Sequence, residues 1–185
     1  LYAFAVFRPD EGFSVEQALL VLVEVPGSVL AIYLTMDMVA GERDKDTLEI
    51  LFSTSTSHYS IWMMRLFSIY MMLGLALAVI SSGAYFLFAE FPYVLGAVNA
   101  FAPAFFMVSL TFYFSVLFRS SNAAGMLAMG ILVVVFLMAE SLQASPYYLF
   151  MNPFEQPMGV DETIWAEQVF FNRLGVVVLG ILSVY

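Results

Sequence analysis

The stretch from Leu66 to Phe88 carries no charged residue. As a helix it is long enough to cross the hydrocarbon core of a bilayer, which takes about 20 predominantly apolar residues. In lipid, the backbone must satisfy its own polar groups, and a helix does so within a single segment. A second uncharged run, Leu95 to Phe118, follows after a short break at Glu90 and Pro92. Two such neighbours point to an all-α, polytopic transmembrane bundle. Of 185 residues, 62% are hydrophobic and 11% charged, against roughly 25% charged in a soluble domain.

Further spans can be placed around these two. Gln17 to Met36 is long enough, although Glu24 and Pro26 interrupt it. Ala123 to Ala139 makes another, ended by Glu140, and Leu174 to Tyr185 begins a last one. Leu1 to Phe7 reads as the end of an earlier span, followed by a loop from Arg8 to Ser14. Leu1 is not methionine and Tyr185 lies inside an apolar run, so residues 1–185 are expected to be one transmembrane domain within a longer polypeptide. Span one would be largely missing and span six truncated. About six spans per subunit are expected, with a connector over 41–65 and a long outer segment over 143–173.

Basic residues in short loops set orientation. By parity the connector and the turn at Arg119 share a side, holding Arg43, Lys45, Arg65 and Arg119, while Arg8 and Arg173 fall on the other. Four against two predicts a cytoplasmic connector.

Several function classes are excluded or weakened. A net charge of −9 argues against nucleic-acid binding, which needs a basic footprint. Without cysteine there is no thiol catalysis and no Cys-based metal site. Lys45 is the one lysine, and no G-x-x-x-x-G-K-[ST] phosphate cradle occurs, so this chain has no site of its own for ATP hydrolysis. No zinc-protease motif or paired membrane aspartates are present, and His58 is a lone histidine in the connector. No catalytic, cofactor or metal residues are assigned. Met63, Met64, Met71 and Met72 read as adaptable packing residues. Gly74, Gly83, Gly125 and Gly130 read as sites of close helix approach.

The connector, GERDKDTLEILFSTSTSHYSIWMMR, has internal order. It holds three of the six basic residues and the only histidine. Asp46 with Glu49 three residues on approximates a capping box, and Leu48, Leu51 and Phe52 follow at helical spacing. The pattern predicts a short amphipathic helix lying at the membrane surface. From physics alone it is either a passive interfacial anchor or a contact for a partner.

At these residues the chain resembles the ABC-2-type permeases, the membrane subunits of ATP-binding-cassette exporters (type V exporter-like). Their connector between spans two and three runs roughly E-R-E-x-G-T-L-E-x-L-L-x-T-P-x-S-R-x-E-I, with a basic residue a turn later. Glu42, Arg43, Thr47, Leu48, Glu49, Leu51, Thr54, Ser57, Ile61 and Arg65 stand where that pattern asks. Asp46 replaces its glycine, Ser55 its proline and His58 its arginine. The motif covers about an eighth of the chain. The resemblance implies a permease subunit in a plasma membrane (bacterial cytoplasmic membrane). It would be paired with a second, identical or paralogous permease subunit and with ABC ATPase subunits, which would hold ATP and Mg. It further implies that the connector is a cytoplasmic coupling helix. Leu48, Leu51 and Phe52 would supply its apolar contact with the ATPase, Glu42, Arg43 and Glu49 would orient it, and Thr47 completes the contact.

Glu24 is the charge placed deepest in any span. It either lines a substrate path, with Asn99 as a second polar position, or is a carboxyl bonded to a neighbouring helix. Asn99 and Glu140 lie near outer span ends, within reach of headgroups or loop residues. In the outer segment, Pro-punctuated SPYYLFMNPFEQP precedes Asp161, which reads as the N-cap of a helix from Glu162 to about Asn172. A non-transporting membrane scaffold and an ion-coupled secondary transporter remain as alternatives.

Overall fold

The computed structural model describes residues 19–44, 58–87, 93–142, 145, 147–154 and 160–184. Among them every regular element is a helix. A π-helical turn, Leu20–Glu24, runs directly into α1 (Val25–Met36). A break of three residues separates α1 from α2 (Ala40–Asp44). Then come α3 (His58–Leu87), α4 (Tyr93–Leu117), α5 (Ser121–Leu137), α6 (Ala139–Leu142) and α7 (Glu162–Val184). The expected span one, the loop from Arg8 to Ser14, and Glu90 and Pro92 lie outside the described residues.

Among the described residues four stretches are long and apolar enough to cross a membrane: Leu20–Arg43, Ser60–Phe86, Tyr93–Leu117 and Thr163–Val184. The segment expected as span five is α5. Its 17 residues extend about 25 Å at helical rise, and it falls short of the other four. The last span also differs from expectation. The outer helix expected to stop near Asn172 and the span expected to begin at Leu174 are one continuous helix, α7. No glycine or proline separates Glu162 from Leu174, so nothing in the backbone interrupts it. Asp161 does cap it: its carboxylate accepts from the Thr163 amide at 3.1 Å and the Thr163 hydroxyl at 3.0 Å.

The π turn has a local cause. Pro26 has no N–H, and its ring crowds the carbonyl four residues back. The amide of Val25 reaches the carbonyl of Leu20 instead, one residue beyond the α register, and the turn widens just ahead of the proline.

α4 is the hub. Over an apolar stretch of 18 residues 56% of it is buried, against 17% for α3 and for α7, and it packs on α1, α3, α5 and α7. Tyr70 of α3 stacks on Phe105 of α4 at 4.8 Å between centroids and hydrogen-bonds Ser109 at 2.9 Å. On the other side, Phe105 lies so close to Gly180 of α7 that an added Cβ would stand 2.6 Å from its ring. Large apolar side chains, among them Phe67, Leu75, Val79 and Phe86 on α3 and Phe170 and Leu182 on α7, point outward. A bundle with polar groups inside and an apolar exterior is arranged for lipid as its solvent.

The helices alternate in direction, so Arg43, His58, Leu117, Ser121 and Val184 fall at one end, the connector end. Leu20, Leu87, Tyr93, Leu137 and Glu162 fall at the far end.

Candidate functional site

Polar groups gather in two clusters. In the far half, Glu24 sits at the last position of the π turn and is 2% exposed. Its Oε1 accepts a hydrogen bond from Asn99 Nδ2 on α4 at 2.7 Å. The other end of that amide, Oδ1, accepts from Arg173 of α7 through Nε at 3.1 Å and Nη2 at 2.7 Å. The amide thus stands between a carboxylate and a guanidinium. Its orientation is fixed by chemistry, since the reverse would set acceptor on carboxylate and donors on guanidinium.

Arg173 does more than meet Asn99. Nη2 donates to the Met151 carbonyl at 2.6 Å, and Nη1 to the Leu149 carbonyl at 3.0 Å and to Asn172 Oδ1 at 3.4 Å. Together with the two bonds to Asn99, this engages all five donors of the guanidinium. Asn172 Nδ2 donates to the Tyr148 carbonyl at 2.9 Å, and Trp165 Nε1 to the Asn152 carbonyl at 3.1 Å. The strap 148–152 is therefore attached to α7 through four of its own carbonyls, and its residues are buried. A strap with no regular structure survives at this depth because side chains answer its backbone. The charges are opposite and joined through Asn99, and the guanidinium has every donor engaged, which is what makes burying them tolerable.

This arrangement revises two expectations. Asn99 does not reach headgroups or a loop: it is buried and joins three helices. Arg173 is not a loop residue but part of α7, so it drops out of the loop charge count. Of the two readings of Glu24, hydrogen bonding to a neighbouring helix describes this state. Ser28, one turn along α1, has a buried hydroxyl without a partner among the described residues.

At the connector end, Glu42 and Arg65 form an ion pair at 2.9 Å, and Arg65 lies over the Trp62 ring, 5.3 Å from its centroid. Arg43 Nη1 donates to the Val116 carbonyl at 2.7 Å. Three connector charges, Glu42, Arg43 and Arg65, therefore have partners within the chain. Thr47, Leu48, Glu49, Leu51 and Phe52 lie outside the described residues, as does the capping pattern at Asp46. Among the described residues no group of acidic or histidine side chains is arranged to hold a metal.

Arg173 is the residue that sequence reasoning missed. Its signal was present: an arginine eleven residues into a glycine- and proline-free run opened by an N-cap. Compared with protein-family models, curated proteins and solved structures, the chain matches none.

Proposed function

We propose that this chain is a permease subunit of an ATP-binding-cassette exporter, of about six spans, with the 41–65 connector as a cytoplasmic coupling helix. The observation that carries the reading is the connector motif itself, whose first and last charged positions, Glu42 and Arg65, lie 2.9 Å apart. The ion pair ties the two ends of the connector together at its base. A base tied in this way suits a connector that receives force from outside the bundle. In this reading the ATPase, with its ATP and Mg, is a separate subunit, and a second permease subunit completes the path. Glu24 and Asn99 line that path once Arg173 releases them.

The test is purification of the full-length protein under gentle extraction, with ATPase activity assayed on the complex. Wild type is expected to carry an ATPase subunit, and Leu51→Asp/Phe52→Asp to lose or uncouple it. No associated ATPase in the wild type sinks the proposal. One observation favours a second reading, an ion-coupled secondary transporter: a buried carboxylate in a π turn ahead of a proline, coupled through Asn99 to a half-buried arginine. Flux driven by an ion gradient without ATP, and abolished by Glu24→Gln, would select it.

A further inference from the structure

The break between α1 and α2 is held open by one hydroxyl from another helix. In an uninterrupted helix the amides of Val39 and Ala40 would bond the carbonyls of Thr35 and Met36. Here the Thr35 carbonyl is taken by the Met38 amide at 3.0 Å. The Val39 and Ala40 amides turn to Ser115 Oγ of α4, at 3.0 and 2.9 Å. That same hydroxyl donates its proton to the Met36 carbonyl at 3.1 Å. Two accepted bonds and one donated saturate a hydroxyl. Ser115 is fully buried.

Three more contacts bind the break to the same corner of the bundle. Ser121, at the start of α5, donates to the Asp37 carboxylate. Arg43 grips the Val116 carbonyl. Gly125 of α5 leaves room for Met36, whose sulfur would stand 2.8 Å from any Cβ there. Residues 36–43 thus meet the end of α4 and the start of α5 together. The Glu42–Arg65 pair adds the start of α3.

We infer that the break at residues 37–39 is a two-state joint seated in the α4–α5 corner, so that displacement of the connector reaches α4 and α5 through Ser115. The alternative state is defined by the same atoms. If Ser115 withdraws, the Val39 and Ala40 amides can return to the Thr35 and Met36 carbonyls, and α1 runs straight into α2. Discrete alternative bonding is what makes a packed element a switch rather than a spring. Ser115 is a positioning residue here. Its use in transport rests on the proposed function, but the linkage itself does not require an ATPase.

Residues 1–185 hold no cysteine, so Asn122→Cys, in the full-length protein in nanodiscs with any cysteine outside them replaced by serine, places a single spin label on the exposed first turn of α5. Arg65→Glu then breaks the ion pair on the opposite side of the joint. Its expected effect is a change in label mobility when Ser115 is present and loss of that change in Ser115→Ala. If Ser115→Ala does not fold, Ser121→Ala replaces it, and a reduced response is expected because the Asp37 contact is gone. No response to Arg65→Glu with Ser115 present, or an undiminished response in either serine variant, overturns the linkage. Amide exchange supplies the second readout. Protection of Val39 and Ala40 retained in Ser115→Ala supports the straight state, and free exchange there overturns it. Absence of an ATPase would sink the permease reading while leaving these spectra unaffected, and a failed linkage would leave ATPase association untouched.

Discussion

Asn99 joins two opposite charges because an amide has a donor end and an acceptor end, and neither a carboxylate nor a hydrocarbon of that size could replace it. Asn99→Asp would set a second carboxylate against Glu24. Arg173→Met removes the other terminus, leaving the carbonyls of Leu149 and Met151 and the Asn99 amide oxygen without their donors. Breaking a buried charged network from one side costs about 3–5 kcal/mol, so Arg173→Met is expected to lower the unfolding midpoint strongly in detergent. Faster amide exchange across 148–152 should accompany the loss, and an unchanged strap would show that Arg173 does not hold it. Glu24 was legible in the sequence because a carboxylate within an apolar span is conspicuous. Its partner was not, because Arg173 lies 149 residues away and sits beside polar residues that resemble a loop.

At the scale of elements, small residues decide where helices meet. Gly125 makes a close approach, as its sequence context suggested, but an added Cβ at Gly83 or Gly130 would meet nothing within 4 Å. The tightest positions were not singled out: Gly27, against Leu77 of α3, and Gly180, against Phe105. Leu77 is fully buried and has little room to turn aside. Gly27→Ala is therefore expected to cost about 1–3 kcal/mol through overpacking. Gly83→Ala should be neutral to stabilising by up to about 1 kcal/mol, since alanine restricts the unfolded chain. Parallel thermal melts of the two variants decide this, and equal midpoints would refute it. The methionines show the same limit of sequence reading. Met64, Met71 and Met72 face outward, because an apolar side chain in a membrane helix suits lipid as well as core. Helix existence followed from the charge-free runs, whereas helix ends did not: α7 began well before its expected span because capping and the absence of breakers outweighed polarity.

For the whole molecule the testable quantity is sidedness. Single cysteines at Asn122 and at Tyr147, which is 88% exposed, lie toward opposite ends of the bundle. In intact cells a membrane-impermeant thiol reagent is expected to reach Tyr147→Cys and to reach Asn122→Cys only after permeabilisation. Labelling of both positions from one side would contradict the membrane arrangement, and the reverse pattern would invert the orientation. The central place of α4 belongs to this scale as well. α3 beyond Arg65 and α4 throughout are both uncharged, and hydropathy does not distinguish the helix that neighbours enclose from the one that faces lipid.

The sequence by itself determined that the chain is helical and suited to a membrane, since charge-free runs of this length, without the alternation of barrel strands, satisfy their backbone hydrogen bonds in lipid as helices. It also marked the connector, whose spacing of charges and leucines is local and readable along the chain. Only the tertiary structure decided that Glu24, Asn99 and Arg173 form one network and that the break after Met36 rests on Ser115. Those bonds join residues about 75 positions or more apart, where hydropathy and periodicity carry no information about which polar group will meet which.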